Sequence, residues 1–462
     1  MSDDAEKPRK PSMAKLRTQP LARNWALTRL GVSTGARIAM HSVGNLFRDE
    51  QARADGDREF YRARAQVLAD ELGQLKGSVM KAGQMLSLYG QYFLPPEAVE
   101  VLAGLQDDTP PVDWAVIHPV LERSLGRRLQ ELDIDETPLA AASLGQAHRA
   151  RVKASGREIV LKVQYPGVAD AIESDIRSLQ RIVMMSRMAP AGLSMDSVFS
   201  EVREMLHREV DYGLEQRFTE EFAQRLAGDE RYVVPATLPE YCADQVLATT
   251  FEAGLHVKHA DVQGLPQAQR DRLSVNFLEL FLREFLDWHT VQSDPHFGNY
   301  RLRINESGEP QWVLLDFGAT RVFNGGFVDD YSEMLWGALY GDAERIDAGA
   351  ESIGLMHADF PEAVRASFHE IWALVLEPFS RAGGAAPAAL MDAQGRYDWG
   401  ASDLPLRVTN KMARAAVSRY FRVPPREIVF LHRRLAGVFI MLATLKARIQ
   451  GREVLQGFAP PQ

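Results

Sequence analysis

The sequence predicts an α+β chain of two lobes, a small β-containing one followed by a larger helical one, with a helical extension in front. Three observations carry this. At 462 residues the chain is too long for one ordinary core. Ala147 to Lys153 and Glu158 to Gln164 alternate in polarity around a turn at Ser155-Gly156, which predicts a β-hairpin. Beyond Gly264 helical periodicity prevails, interrupted by one loop and a short apolar strand, Gln311 to Leu315.

Composition bounds the function classes. With 46% hydrophobic and 25% charged residues, most of the chain is expected to fold. The net charge of −9 and the absence of a basic stripe with interleaved aromatics exclude nucleic acid as an expected partner. A single cysteine, Cys242, rules out an intrachain disulfide framework and a Cys-rich zinc site, so a reducing compartment, by default the cytoplasm, is expected. The longest apolar runs, such as Ala436 to Leu445, fall short of the roughly 20 residues a membrane span needs, and residues 1 to 20 carry no signal-peptide core.

The elements follow in order. Residues 1 to 20, with Pro8, Pro11 and Pro20 among many charges, read as a disordered tail. The first 37 residues carry a local charge of +5 inside an acidic chain, which points to an anionic surface. Trp25, Val32, Met40, Val43, Leu46 and Phe47 share one helical face, whereas Leu27, Leu30 and Ile38 fall on the other. Membrane-surface docking and packing on the protein's own body both fit. From 21 to 130 a helical extension is expected. In it Leu72, Leu75, Val79, Ala82 and Leu86 form an apolar stripe, with Gly77, Lys81 and Gln84 on the roughly opposite side. A helix around Trp114 to Leu129, the hairpin, a long helix from Asp196 to Ala227, and strands at Tyr232 to Pro235 and Gln245 to Phe251 come next. The β-containing lobe is placed at 131–255 and the helical lobe at 256–462.

The chemistry is concentrated in Gln292-Ser293-Asp294-Pro295-His296-Phe297-Gly298-Asn299, followed seventeen residues after Asn299 by Asp316-Phe317-Gly318. A kinase catalytic loop needs a carboxylate near the attacking group, an amide five residues on for metal, and a strand-end carboxylate for the same metal. Asp294, Asn299 and Asp316 match those places. Each tripeptide alone also fits an ordinary turn. The order of a β lobe interrupted by one helix, then a helical lobe with this loop, is a bilobal protein-kinase-like arrangement that uses ATP and Mg2+.

Lys162, in the apolar strand Ile159-Val160-Leu161-Lys162-Val163, needs a partner. In kinases such a lysine holds the α- and β-phosphates and pairs with a glutamate on the neighbouring helix. The candidates Glu209, Asp211 and Glu215 point in different directions around an ideal helix, and Glu215 is assigned to Lys162. Glu209 and Asp211 are then left for metal, water, the extension or solvent. Ala140, Ala141, Ala142, Ser143, Gly145 and Gln146 stand where a kinase has its Gly-rich phosphate cover. Each Ala Cβ penalises positive φ, so a nucleotide is expected to be held differently there.

Lys81-Ala82-Gly83-Gln84, the Ala-rich segment with Gln146 and His148, Lys162 to Gly167, Glu209 with Asp211, Asp294 to Asn299, Leu315 to Arg321 and Leu431 to Gly437 together resemble the UbiB-type (AarF/UbiB) atypical kinases of the coenzyme Q biosynthesis group. The resemblance implies that the extension packs over the active-site cleft. It implies that Lys81, Gln84, Glu209 and Asp211 are regulatory there and that protein phosphorylation in trans is suppressed. ATP hydrolysis or action on a lipid-like quinone precursor is the implied output, peripheral on an inner membrane and alongside quinone-biosynthesis proteins. A nucleotide-gated scaffold or lipid chaperone is the competing reading. An antibiotic-modifying type of phosphotransferase is a third, since the loop from Asp294 to Asn299 also fits that chemistry.

Overall fold

A computed structural model of the chain describes residues 81–83, 85–86, 111–186, 195–381, 383–384, 386–416 and 424–460. The expected tail, the face from Trp25 to Phe47, the stripe residues Leu72, Leu75 and Val79, and Gly77 and Gln84 lie outside the described residues. The chain divides into two compact units. One holds residues up to Arg217 together with Ala236–Phe251, and the other Phe218–Pro235 together with Glu252–Gln462. The excursion at 218–235 is not visible in a linear reading of the sequence, because it depends on pairing with residues about eighty positions later.

The first unit is organised by a four-stranded antiparallel sheet in the order β1 (Leu132–Ala141), β2 (Gly145–Val152), β3 (Glu158–Gln164), β5 (Val246–Thr250). Alternation sets its faces: Ile159, Leu161 and Val163 of β3 are fully buried on one side, while Val160 and Lys162 point to the other. The buried side meets α1 (Trp114–Leu125), whose Ile117, Val120 and Leu121 are also fully buried. The helix stops earlier than the sequence suggests, at Gly126, and continues to Glu131 as a 3-10 turn. Two further helices, α2 (Val168–Ser186) and α3 (Met195–Glu209), pack on each other through Ile172, Ile176, Val202 and Leu206.

The long helix expected from Asp196 to Ala227 is two helices. It breaks at Val210-Asp211, and α4 (Tyr212–Arg225) begins afresh. The reason is local: the Asp211 carboxylate accepts the Leu214 backbone N–H at 2.8 Å, capping the new helix start. That start leaves the helix ladder of α3 unfinished, so the direction of each carboxylate differs from that on one continuous helix.

In the second unit, β4 (Tyr232–Val233) pairs parallel to β8 (Pro310–Leu314), which pairs antiparallel to β7 (Tyr300–Ile304). A second ladder joins β6 (Thr290–Gln292) to β9 (Thr320–Val322). The expectation of a single strand beyond Gly264 is therefore corrected to several, including the short pair Tyr397–Asp398 and Arg448–Ile449. Tyr300-Arg301-Leu302-Arg303-Ile304 hides its alternation behind two arginines whose stems flank the sheet while Tyr300 and Leu302 are buried. Trp312 is fully buried, donates its indole N–H to the Leu273 carbonyl at 2.9 Å and packs against Phe277 of α5 (Gln267–Leu282) in a tilted pair with centroids 4.7 Å apart. Burial of each such ring is worth roughly 2–3 kcal/mol. Among the described residues no helix is long and apolar enough to cross a membrane.

The late helix α6 (Arg426–Thr444) buries Ile428, Val438, Met441 and Leu442 in this core. On it His432 meets the Tyr331 hydroxyl at 3.1 Å, and dense packing pushes its imidazole down to about 4. An unfolded histidine titrates near 6.5, so between these values the unfolded chain binds a proton that the folded one refuses, and stability falls as pH drops. Part of the side chain still reaches the surface, which trims the effect to about 1 kcal/mol at pH 5. In urea unfolding the wild type is expected to lose about that much more than His432→Gln between pH 7 and pH 5.

Candidate active site

Lys162 leaves β3 on the side opposite the buried valine and leucine, and its ammonium lies 2.7 and 2.8 Å from the two oxygens of Glu215. Glu215 is only 3% exposed, one turn into α4, so the same cap at Asp211 that starts the helix also aims this carboxylate. A buried carboxylate is tolerable only with such a partner. The pairing expected from the sequence is the one the structure contains. Gly145 is required beside it: a Cβ there would sit 2.5 Å from the Val163 carbonyl oxygen and 3.0 Å from the Tyr212 hydroxyl.

The Ala-rich segment takes a form the sequence reading did not anticipate. Ala140 and Ala141 end β1, opposite Ala147 and Gln146, and only Ala142, Ser143 and Leu144 form the turn, closed by the Ala142 N–H on the Gly145 carbonyl at 2.8 Å. No residue from 140 to 145 has positive φ, in keeping with the penalty an alanine Cβ imposes. Gln146 is buried and its amide is committed internally. It accepts the Val112 N–H at 2.9 Å, donates to the Val112 carbonyl at 3.1 Å and meets His148 Nε2 at 2.9 Å. His148 Nδ1 in turn donates to the Asp135 carbonyl at 2.8 Å, and burial pushes this imidazole below its ordinary value. Gln146 is thus a staple of the sheet rather than a group presented to a ligand.

Lys81 lies on a helical segment whose Ala82 and Leu86 are buried as the apolar stripe requires, but Gly83 and Met85 are buried too. Lys81 is partly buried and reaches Glu209 at 2.6 Å. Glu209 and Asp211 therefore have distinct jobs, one pairing with Lys81 and the other capping α4.

In the second unit three segments converge. Ser293 donates its backbone N–H and its hydroxyl to the Ala319 carbonyl at 3.2 and 2.6 Å, and Leu315 N–H bonds the Asn299 carbonyl at 2.9 Å. These bonds hold the loop carrying Asp294 and Asn299 against the segment carrying Asp316. Asn299 Nδ2 donates to Asp294 Oδ2 at 3.1 Å and to the Asp294 carbonyl at 3.2 Å, which leaves its own Oδ1 as an acceptor. Asp316 Oδ1 accepts the Gly318 N–H at 3.1 Å, and Phe317 is buried against Phe222, centroids 4.7 Å apart. Asp294, Asn299 and Asp316 all offer oxygen donors. Among the described residues no group of three or more His, Cys, Asp or Glu could hold a metal ion on its own. A carboxylate and an amide, here Asp316 and Asn299, suit a Mg2+ that takes the rest of its coordination from phosphates and water.

The sequence reading takes Leu431 to Gly437 of α6 only as part of the family resemblance and gives the helix no role at the site. Its Arg433 Nη2 lies 2.6 Å from Asp294 Oδ1, so each Asp294 oxygen has a partner. Four residues on, Gly437 packs on Pro295 so closely that a Cβ would sit 1.9 Å from the proline Cβ. The available signal was the pair Arg433-Arg434 in the middle of an otherwise apolar helix, where a charge demands a buried partner.

A family model described as the ABC1 atypical kinase-like domain matches residues 104–349. The chain belongs to the ABC1 atypical kinase-like family. It is 31% identical over 396 residues to atypical kinase COQ8B, mitochondrial, of Rattus norvegicus, a match covering 85% of this chain and 71% of that one. To atypical kinase COQ8, mitochondrial, of Schizosaccharomyces pombe it is 29% identical over 409 residues, 88% of this chain and 64% of that relative. Among solved structures it is similar to Rv3197 of Mycobacterium tuberculosis, determined in complex with erythromycin, with a TM-score of 0.57, 26% identity, and coverage of 84% of this chain and 95% of that one. The kinase-like fold and the family read from the motifs are borne out.

The Asp211 cap makes a separable prediction. Asp211→Ala should lower stability by about 1 kcal/mol in chemical denaturation, and Asp211→Ser should restore most of it, because a hydroxyl caps nearly as well.

Proposed function

We propose that this chain is an atypical kinase or ATPase using Mg-ATP that supports isoprenoid quinone biosynthesis at a membrane surface, with protein phosphorylation in trans suppressed. The observation that carries the reading is the coexistence of the Lys162–Glu215 pair with the Asp294, Asn299 and Asp316 set, each on its own rigid frame. Lys162, held by Glu215, would bind the α- and β-phosphates of the nucleotide. Asn299 and Asp316 would hold Mg2+, which when bound neutralises charge on the phosphates. Asp294 would orient the attacking water or hydroxyl, its carboxylate kept in one rotamer by Arg433 and Asn299. The mitochondrial COQ8 relatives support the quinone context, and the basic N-terminal 37 residues support a peripheral contact with an anionic membrane. The tie between Lys81 and Glu209 supports a regulatory role for that segment.

A second reading, a nucleotide-gated scaffold or lipid chaperone with negligible turnover, is favoured by one observation. Both oxygens of Asp294 are engaged within the protein.

The test is Mg-dependent ADP release by the purified protein, with and without anionic liposomes carrying a phenolic quinone precursor. Asp316→Asn should cut turnover at least about 100-fold, the cost of losing one preorganised charge-stabilising group. Undiminished turnover in that variant sinks the metal assignment. Quinone production in cells separates the two readings: Asp294→Asn abolishes it if chemistry is required and preserves it if the chain is a scaffold.

A further inference from the structure

Behind the metal-site segment lies a buried polar chain that the function above does not use. Arg434 and Glu284 are 0% and 1% exposed. Glu284 sits in a π-helical turn, Arg283–Asp287, at the end of α5, and its two oxygens meet Arg434 at 3.2 and 3.3 Å. The remaining guanidinium nitrogen donates to the Tyr300 hydroxyl at 2.7 Å. Burial pushes the Tyr300 phenol well above its ordinary range, so it keeps its proton. With one lone pair taken by Arg434, that proton goes to Gln292 Oε1, 3.1 Å away. This settles the orientation of the Gln292 amide and turns its Nε2 toward the Asp316 carbonyl at 3.2 Å. Every link donates in one direction, from Arg434 through Tyr300 and Gln292 to the backbone of Asp316.

We infer that Gln292 is a positioning residue for Asp316, set from behind by Tyr300 and the buried Arg434–Glu284 pair. The inference rests on the reading of Asp316 as a Mg2+ ligand. Glu284 and Tyr300 already satisfy Arg434, and the buried Gln292 amide needs partners of its own. A purely structural role leaves open which partner the Gln292 Nε2 takes. The relay ends on the carbonyl of Asp316, while the Gly318 N–H holds the carboxylate of the same residue from the other side. Backbone and side chain of Asp316 are thereby fixed independently, as a metal ligand with little tolerance for displacement requires.

The experiment titrates Mg2+ against binding of a fluorescent ATP analogue, with thermal unfolding measured in parallel. Tyr300→Phe removes one oxygen from the relay. Gln292→Met keeps the side-chain length and leaves Arg434 with both its partners, so it reports on the last link even if Tyr300→Phe folds poorly. Both variants should raise the Mg2+ concentration for half-maximal binding about tenfold, in the range seen when a group orienting a metal ligand is removed. Analogue binding in EDTA should stay as in the wild type. A lowered unfolding temperature with an unchanged Mg2+ midpoint overturns the relay and makes the chain structural only. A wild type whose binding shows no Mg2+ dependence overturns the proposed function itself, an outcome that the wild-type titration alone reveals.

Discussion

Burying an arginine in the middle of a helix is sustainable only if each of its donors is met, and Arg434 is the point from which much of the second unit is arranged. Its partner Glu284 is equally buried, and burial pushes that carboxyl up to about 7 against the pull of the guanidinium. A pair of this kind contributes little net stability compared with apolar residues of the same size, but removing one member strands the other. The surrounding elements are committed accordingly. The π-turn delivers Glu284, strand Tyr300–Ile304 delivers a hydroxyl, and helix Arg426–Thr444 must lie close enough for Gly437 to touch Pro295. The rings of Phe277 and Tyr300 complete the shell, 4.9 and 5.7 Å from the guanidinium carbon.

The adjacent Arg433 shows how one helix serves two ends. Consecutive residues on a helix point about 100° apart, so while Arg434 turns into the core, Arg433 reaches the partly buried Asp294. The loop from Gln292 to Asn299 is thus held by backbone bonds to the segment after Asp316 and by side chains from a helix more than a hundred residues later. Loops carrying function are usually the mobile part of a fold; here rigidity is supplied from outside the loop.

The first unit solves a similar problem with smaller means. Lys162 and Glu215 stand on separate elements, and a single helix cap determines where the second of them points. Gln146 and His148 spend their polar atoms on holding β1, β2 and the Val112 segment together, which leaves the Ala-rich turn compact instead of open.

What the sequence determined by itself were the features encoded locally. The hairpin, the apolar strand bearing Lys162 and the spacing of Asp294, Asn299 and Asp316 follow from alternation, turn chemistry and residue type, whereas Glu215 was one of three candidate carboxylates whose direction the break at Asp211 decides. The break at Asp211 was legible in principle, since an aspartate before Tyr212-Gly213-Leu214 is a capping signal, but helical composition on both sides masked it. Tertiary structure alone decided the rest. The 218–235 excursion exists because a segment about eighty positions later pairs with it, and the burial of Gln146, the reach of Arg433 and the contact of Arg434 with Tyr300 span 34 to more than 130 positions. Polar side chains carry no mark of which buried partner will satisfy them, so their roles emerge only when the core closes around them.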